Sequence, residues 1–310
     1  MRFAIVGAGA IGCLFGVKLS LDGNDVTLVH HDGSIVREIL RRGISLEETN
    51  GKTRVVHVPI RKGPLRLRNV EVLIVAVKAY DTRKVASEYR RKVDNDTTIL
   101  SLQNGLGNVE TLQSHLKNPL LAGSTSEGSL SLGPGRILHT GAGSTIIGNA
   151  NDVRPEIARR VKKAFERSGF RTRIDSNIRG VLWTKAIVNA AINPLSALAR
   201  MSNGGLARNH SLAELGSEVM KEGVAVSREE HVKLAGNPLT LWHRILVSTG
   251  PNKSSMLQDV EKGRMTEIRE LNGSIVSRAR KAGVKVPINE VLTKLIIGLE
   301  SNAINPRPTR

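Results

Sequence analysis

The sequence of 310 residues is 40% hydrophobic and 24% charged, which is ordinary for a globular protein and long enough for two domains. No apolar run approaches the roughly 20 residues that cross a bilayer, and the apolar stretch before Gly7 is too short for a secretory signal, so we expect a cytoplasmic protein without membrane contacts. Cys13 is the only cysteine, which excludes a disulfide framework and a thiolate-rich metal site, and we expect no bound metal.

Lysine and arginine number 46 against 28 aspartate and glutamate residues, so the formal net charge is +18. A positive field of this kind raises the local concentration of anions, including dinucleotides, carboxylate substrates and nucleic acid. Aromatic residues make up only 3% of the chain and are scattered, so no platform for stacking single-stranded bases is visible. Because no nucleic-acid-binding motif is visible either, we expect small anionic molecules rather than nucleic acid as partners.

Strands and helices alternate through the first half of the chain. The hydrophobic pattern predicts strands at 2–6, 26–29, 70–77 and 97–102, and helices at 11–21, 34–42, 82–92 and from about 109. Asn50-Gly51 predicts a hairpin of two short strands within 44–60. Short strands with glycine-rich turns follow at 120–148, then a helix at 152–168 and an edge strand at 171–174. This alternation favours a doubly wound parallel sheet.

Beyond Asp175 the strand pattern stops and the apolar residues follow a helical period. The predicted helices cover 178–200, 206–234, 239–248, 256–282 and 288–302. Gly283 is a predicted C-terminal cap. We therefore predict an α/β protein whose N-terminal Rossmann-type doubly wound sheet, residues 1–176, is followed by an all-helical C-terminal domain, residues 177–310.

A glycine-rich turn joins the first strand to the first helix. It has the form G-x-G-x-x-G and consists of Gly7, Ala8, Gly9, Ala10, Ile11 and Gly12. In this context the first glycine makes the tight turn, the second lets a pyrophosphate approach the backbone, and the third allows close helix–strand packing. The helix N-terminus faces the phosphates. The motif predicts a dinucleotide site formed by these six residues.

The end of the second strand normally distinguishes the two nicotinamide cofactors, because an acid there binds the ribose diol and an arginine accommodates the 2′-phosphate. This chain has His31 and Asp32 at that place, which fit neither pattern, and both could equally be surface residues. Lys78 and Asn104 follow two later strands, where open α/β sheets gather ligand groups. We expect both to contact ligands.

A polar stripe runs along an otherwise apolar predicted helix. Lys185, Asn189 and Asn193 recur every four residues and so share one helix face. A solvent-facing stripe would more naturally use good helix formers than two asparagines, so we interpret the stripe as functional. Further along, Ser254 or Ser255 can cap a helix, and spacing alone makes Glu267 a surface carboxylate.

These segments together resemble the ketopantoate reductase (2-dehydropantoate 2-reductase) family over essentially the whole chain. The resemblance rests on the glycine turn and on Lys78-Ala79, Asn104-Gly105-Leu106-Gly107, Trp183-Thr184-Lys185, Asn193-Pro194-Leu195, Asn203-Gly204, Ser254-Ser255-Met256-Leu257-Gln258-Asp259 and Thr266-Glu267-Ile268. It implies reduction of 2-dehydropantoate to pantoate with NAD(P)H, on the route to pantothenate and coenzyme A.

The resemblance also implies residue roles. Lys185 matches the catalytic general acid, with Glu267 beside it, and Asn104 matches an asparagine near both the nicotinamide and the substrate oxygen. The implied substrate-binding residues are Asn104, Asn189, Asn193, Asn203, Asn252 and Ser255. Lys78 matches a lysine on the phosphate side of the cofactor. The resemblance implies NADPH as cofactor. Because His31 stands where the family has an arginine, the preference for NADPH is expected to be weaker than the arginine gives, and NADH is expected to work as well.

Two other functions fit parts of the pattern. A related 2-oxoacid or 3-hydroxyacid dehydrogenase would use the same kind of helix bearing lysine and asparagine. A dinucleotide-sensing, nucleic-acid-binding protein would account for the charge of +18. The sequence leaves the oligomeric state open, with a homodimer as one candidate.

Overall fold

The computed structural model describes residues 1–304, so the last six residues of the predicted second domain lie outside the described chain. It divides into two compact units. The first consists of Met1–Gln103 and Asn108–Ile178, and the second of Asn104–Gly107 together with the chain from Arg179 onward. The sequence assigns 104–107 to the first domain, whereas contacts group them with the second because the Leu106 N–H donates to the Glu270 carbonyl at 2.8 Å.

Two sheets form the strand framework of the first unit. The strands are β1 (Arg2–Val6), β2 (Asp25–His30), β3 (Ile44–Glu47), β4 (Thr53–Val56), β5 (Ile60–Lys62), β6 (Val72–Val75), β7 (Thr98–Ser101), β8 (Leu120–Thr125), β9 (Gly128–Gly133), β10 (Arg136–Gly141), β11 (Thr145–Asn151) and β12 (Thr172–Ile174). Within the described residues the larger sheet has eight strands in the order β12-β11-β8-β7-β6-β1-β2-β5. Its pairs are parallel except β11 with β8.

Helices cover both faces of this sheet, as the alternating pattern predicts. They are α1 (Ala10–Leu21), α2 (Gly33–Arg42), α3 (Thr82–Tyr89), α4 (Asn108–His115) and α5 (Pro155–Arg167). Side chains of one strand alternate between two cores: Phe3 and Ile5 of β1 enter one, and Ala4 and Val6 enter the other. A sheet buried on both faces explains why its central strands are continuous apolar runs.

The predicted hairpin around Asn50-Gly51 is present, because β3 and β4 pair antiparallel across it. These strands do not join the large sheet, however. They belong to a second sheet, in the order β4-β3-β10-β9, in which β3 and β10 are parallel. The Ser129 hydroxyl on β9 donates to the Ala10 carbonyl of α1 at 3.1 Å, which attaches this second sheet to the start of the first helix.

The second unit consists of helices. They are α6 (Ile178–Ala199), α7 (Asn203–Arg208), α8 (His210–Glu229), α9 (Pro238–Ser248), α10 (Ser255–Glu261), α11 (Asn272–Ala282) and α12 (Pro287–Ile304). Helix α6 is the centre of the apolar core, and α8 approaches it closely at Gly223, where a Cβ would lie 3.0 Å from Ile187. Gly283 caps α11 in the left-handed conformation, as predicted.

Two of the predicted long helices are wrong because each is interrupted. The 206–234 segment breaks at Asn209, whose backbone is extended and whose side chain accepts the Leu212 N–H at 3.1 Å. The 256–282 segment stops after Glu261, where Gly263 has a φ of +61°, and resumes only at Asn272. Apolar periodicity continues across both breaks, so it does not reveal a cap or a left-handed turn.

Candidate active site

The glycine turn has the geometry that a dinucleotide requires. A Cβ on Gly7, whose φ is +107°, would lie 2.7 Å from the backbone of Ala76 and Val77, and one on Gly12 would lie 1.8 Å from the Gly7 carbonyl oxygen. A Cβ on Gly9, by contrast, would meet no described atom within 4 Å. Gly7 and Gly12 therefore serve packing, and Gly9 leaves the backbone open to a ligand.

The first turn of α1 has the features of an anion-binding helix start. Gly9 is the N-cap and offers no side-chain acceptor, and the first turn carries no acidic residue. The backbone N–H groups there are consequently available to an anion at the positive end of the helix dipole. Ala8 is buried, while Ala10 and Ile11 are half-buried at the start of the helix. These residues fit the pyrophosphate of a dinucleotide.

At the end of β2, His31 and Asp32 have different environments. His31 is exposed and its ring stacks on that of His30, with centroids 4.7 Å apart. Asp32 is the N-cap of α2, and its Oδ1 accepts both the N–H and the hydroxyl of Ser34 at 2.7 Å. The Ser34 hydrogen bonds lower the pKa of Asp32. Asp32 therefore caps α2.

Two cations that the sequence reasoning missed approach the same place. Lys62 on β5 is in register with His30, and a Cβ on Gly33 would lie 3.5 Å from the Lys62 Cδ. The same position would lie 3.7 Å from an Arg37 guanidinium nitrogen. In the chain, the β3–β4 hairpin of the second sheet lies between β2 and β5. The local sequence therefore does not show that Lys62 lies beside the end of β2.

Lys78 lies on the other side of β1, after β6. It is half-buried and caps a 3-10 turn, Ala79–Asp81. The backbone of Ala76 and Val77 lies close to Gly7, and Lys78 is the next residue along the chain. This places it at the carboxyl edge of the sheet, as the strand order predicts.

In the second unit, Lys185 and Asn104 are brought together. The half-buried Lys185 on α6 donates from Nζ to the Asn104 Oδ1 at 3.1 Å. Burial lowers the pKa of Lys185 to about 8, although the negative charge of Glu267 acts in the opposite direction. A lysine of this kind holds a proton at neutral pH and can release it more readily than an exposed lysine can.

Glu267 is not the surface carboxylate that its spacing indicates. It is 6% exposed and lies in the irregular segment between α10 and α11. The preceding residue, Thr266, donates its N–H and hydroxyl to the Glu300 carboxylate at 2.8 and 2.6 Å. The buried Glu300 of α12, which sequence reasoning missed, thereby anchors the segment that carries Glu267.

The turn containing Asn104 rests on Glu270, another residue that sequence reasoning missed. A Cβ on Gly105, whose φ is +86°, would lie 2.7 Å from the Glu270 carbonyl oxygen, so only glycine allows this approach. The Glu270 Oε2 is buried without a hydrogen-bond partner among the described residues. Burial raises the pKa of Glu270, and the nearby Glu267 adds to the effect. The segment after α10 therefore supports Asn104 as well as Glu267.

Asn203 and Asn252 also lie together. The Asn203 N–H donates to the Asn252 carbonyl at 2.9 Å, and its Nδ2 donates to the Thr249 hydroxyl at 2.7 Å. The Asn203 Oδ1 is buried and has no hydrogen-bond partner among residues 1–304. An acceptor buried without a partner is costly, so a donor on a ligand would relieve it.

Ser254, rather than Ser255, caps α10 by accepting the Leu257 N–H at 3.1 Å. Its hydroxyl also bonds to that of Ser196 on α6, and Ser196 donates to the Asn193 carbonyl at 3.0 Å. This chain of bonds attaches the start of α10 to the polar stripe. Ser255 is exposed at the first position of the helix. Its side chain is not required for the cap.

The other two asparagines of the stripe follow Lys185 along α6. Asn189 is half-buried and Asn193 is 6% exposed, in a helix whose other residues are mostly buried and apolar. Both asparagines offer a donor and an acceptor without adding charge. Within the described part of the chain, no group of three or more His, Cys, Asp or Glu side chains could hold a metal ion. In residues 1–304 no helix is long and apolar enough to cross a membrane.

Two family models match the chain. The model described as ketopantoate reductase PanE/ApbA matches residues 3–152, and the model of its C-terminal part matches residues 177–300. A 2-dehydropantoate 2-reductase of Pyrococcus horikoshii is 35% identical over 302 residues, which cover 97% of this chain and 98% of that relative. The chain belongs to the ketopantoate reductase family.

Solved structures agree with this assignment. A PanE/ApbA family ketopantoate reductase from Ralstonia eutropha matches with a TM-score of 0.90 and 32% identity, over 98% of this chain and 99% of that one. D-mandelate dehydrogenase, solved with NADH and anilino(oxo)acetate, matches with a TM-score of 0.92 and 26% identity, also over 98% and 99%. The family resemblance and the two-part fold predicted from the sequence are confirmed.

Proposed function

We propose that the protein reduces 2-dehydropantoate to pantoate with a reduced nicotinamide dinucleotide, in the formation of pantothenate and coenzyme A. The observation that carries the proposal is the hydrogen bond of the half-buried Lys185 to Asn104, in a chain 35% identical to a 2-dehydropantoate 2-reductase. The open backbone at Gly9 supports a dinucleotide as the second reactant.

The reaction requires a hydride and a proton. The dinucleotide, when bound, supplies the hydride to the ketone carbon, and negative charge develops on the ketone oxygen. Lys185 stabilises that charge and transfers its Nζ proton to the oxygen, which completes the hydroxyl group of pantoate. Asn104, through its bond to Nζ, orients the ammonium group. The negative charge of Glu267 favours the protonated form of Lys185.

The polar groups around Lys185 suit a substrate that has both a hydroxyl and a carboxylate. Asn189, Asn193 and Asn203 are assigned to the hydroxyl, and the buried Oδ1 of Asn203 supports this assignment because it is an acceptor without a protein donor. Asn252 and Ser255 are assigned to the carboxylate.

For the cofactor we propose NADPH. Lys62 and Arg37 approach Gly33, which is two residues after His31, the position at which the family has an arginine. Two cations at the end of β2 favour a 2′-phosphate over a free ribose diol. Lys78, at the neighbouring strand end, is assigned to the phosphate side of the dinucleotide. A cytoplasmic location and a homodimer stay predictions from the sequence.

A second candidate is the reduction of another 2-oxoacid. The observation in its favour is the TM-score of 0.92 with D-mandelate dehydrogenase, which was solved with NADH. This alternative differs in substrate and in cofactor, so one assay separates the two.

The test measures oxidation of NADPH and of NADH with 2-dehydropantoate and with phenylglyoxylate, the 2-oxoacid that corresponds to mandelate. The proposal expects the highest kcat/KM for NADPH with 2-dehydropantoate. A higher kcat/KM for phenylglyoxylate would establish the second candidate. Absence of turnover with both acids, in a protein that binds NADPH, would contradict both.

A further inference from the structure

Helix α6 contains a proline where its polar stripe ends. Pro194 has no N–H, so the carbonyl of Ala190, four residues earlier, loses its normal helical donor. Ala190 is fully buried, and water is therefore no substitute donor. A buried carbonyl without a partner destabilises the fold, and a proline at this position also pushes that carbonyl away from the helix axis.

The missing donor is supplied by a side chain from another helix. Asn272, the first residue of α11, is fully buried and donates from Nδ2 to the Ala190 carbonyl at 2.9 Å. The second hydrogen of the same amide points to the Asn289 Oδ1, also at 2.9 Å. Because both neighbours are acceptors, only the NH2 group of Asn272 can face them. Its own Oδ1 is left without a hydrogen-bond partner in the described chain.

Asn289 is itself held in place. Its Nδ2 donates to the Glu222 carboxylate at 2.7 Å and to the Val219 carbonyl at 3.2 Å, both on α8. The same carboxylate accepts the N–H groups of Ile288 and Asn289 at 2.9 Å, at the start of α12. The amide of Asn272 is thus presented to α6 by a buried polar network that joins α8, α11 and α12.

We propose that Asn272 is a positioning residue for the active site, because it replaces the donor that Pro194 removes from α6. Ala190 lies between Asn189 and Asn193, so its carbonyl is at the point where the helix can change direction. The bond from Asn272 sets how Lys185 and Asn189, before this point, are oriented relative to Asn193, after it. This consequence for activity rests on the proposed function, whereas the pairing of Asn272 with Pro194 does not.

A double-mutant cycle tests the pairing. Asn272→Leu should increase the equilibrium constant for unfolding by roughly 10- to 100-fold, since it leaves a buried carbonyl without a donor. Pro194→Ala restores an N–H that can bond to the same carbonyl. Asn272→Leu should therefore increase the equilibrium constant for unfolding by a factor at least roughly fivefold smaller in the Pro194→Ala background than in the wild-type background.

The matched control is Asn289→Leu, which breaks the same network but leaves a donor within reach of Ala190. Pro194→Ala should not rescue this variant. If urea unfolding shows that Asn272→Leu destabilises the protein equally in both backgrounds, the proposed pairing is overturned. Equal rescue of Asn289→Leu would overturn it too, because the rescue would then be unrelated to the Ala190 carbonyl.

The positioning role has its own measurement. At a temperature where every variant is folded, Asn272→Leu should lower kcat with 2-dehydropantoate by about tenfold or more and leave the KM for NADPH nearly unchanged. Pro194→Ala should restore part of that kcat. An unchanged kcat in folded Asn272→Leu enzyme would leave Asn272 purely structural and overturn the positioning role. An inactive wild-type enzyme would contradict the proposed function, while the unfolding cycle still decides the pairing.

Discussion

At the scale of single residues, burial changes the chemistry of Lys185. Its pKa is about 8 because the surroundings disfavour a charge there, and Glu267 keeps the pKa from falling further. The protonated form therefore dominates below pH 8, and the neutral form dominates above it. A general acid near its pKa at the working pH combines the correct protonation state with a labile proton.

Lys185→Ala should lower kcat for 2-dehydropantoate reduction by at least ~10²-fold, the lower range for a lost general acid. In the wild type, kcat should be level below pH 8 and fall above it, as the proton is lost through a pKa of about 8. Steady-state kinetics across the pH range measure both effects. Lys185→Arg is the control, since arginine keeps the charge but does not give up a proton. Near-normal turnover in either variant would contradict the mechanism.

Cofactor choice also depends on individual side chains. Lys62→Ala should raise the KM for NADPH by about tenfold, the effect of losing roughly 1.4 kcal/mol of charge-assisted contact, and should leave the KM for NADH almost unchanged. Initial-rate kinetics with each cofactor measure this. Lys52→Ala removes the same charge from the exposed turn between β3 and β4 and serves as the control. The same change in the KM for both cofactors would mean that Lys62 does not meet the 2′-phosphate.

At the scale of elements, the second sheet is tied to α1 by a buried ionisable cluster. His139 on β10 is 3% exposed, and its Nε2 and Nδ1 lie 2.8 Å from Glu127 and 3.1 Å from Glu48. Lys18 of α1 lies 3.2 Å from the same oxygen of Glu48. Because α1 carries the glycine turn at its start, this cluster also supports the dinucleotide site.

The cluster makes stability depend on pH. The hydrogen bond to Glu127 raises the pKa of His139 above its ordinary 6.5, outweighing burial, and Glu48 adds to the increase. The unfolded chain releases this proton at a lower pH than the folded protein, so the stabilisation is complete below about pH 6.5 and is lost as pH rises through the folded pKa. Burial raises the pKa of Glu48, but hydrogen bonding to His139 and the charge of Lys18 lower it overall. The stabilisation from Glu48 is therefore lost on acidification.

His139→Gln should remove the decrease in the free energy of unfolding that the wild type shows as the pH rises above about 6.5, because glutamine binds no proton in this range. Urea unfolding at several pH values measures it. His210→Gln is the control, because His210 pairs with Glu214 at 3.2 Å on an exposed surface. An identical pH dependence in wild type and His139→Gln would mean that His139 is not the group responsible.

At the scale of the whole molecule, the net charge of +18 acts on anionic reactants before they reach the site. Salt screens such long-range attraction, with a Debye length of about 10 Å at 0.1 M. Raising the ionic strength from about 0.05 to about 0.5 M should lower kcat/KM for NADPH by several-fold and change kcat little. Kinetics at graded salt concentrations test this. A kcat/KM for NADPH that is insensitive to salt would mean that the net charge does not help to bring NADPH to the site.

Much of the fold and part of the candidate site were predictable from local patterns. The glycine turn, the Asn50-Gly51 hairpin, the buried strand β6 and the C-cap at Gly283 each depend on residues adjacent in the chain. Their backbone conformations follow from steric limits and from side-chain alternation, which act over a few residues. For the same reason, the shared helix face of Lys185, Asn189 and Asn193 could be recognised before any contact was known.

The remaining features depend on groups far apart in the sequence. The segment that carries Glu267 is anchored by Glu300 through Thr266. The approach of Lys62 to Gly33 depends on the pairing of β5 with β2, and the donor to Ala190 comes from Asn272. Hydrogen bonds and burial are properties of the packed chain, and periodicity contains no information about which distant partner completes them. The sequence by itself therefore determined most of the elements, the dinucleotide turn and the family, but not the breaks at Asn209 and Gly263. Only the tertiary structure decided which side chains are buried, what their pKa values become and which of them bond to helix α6.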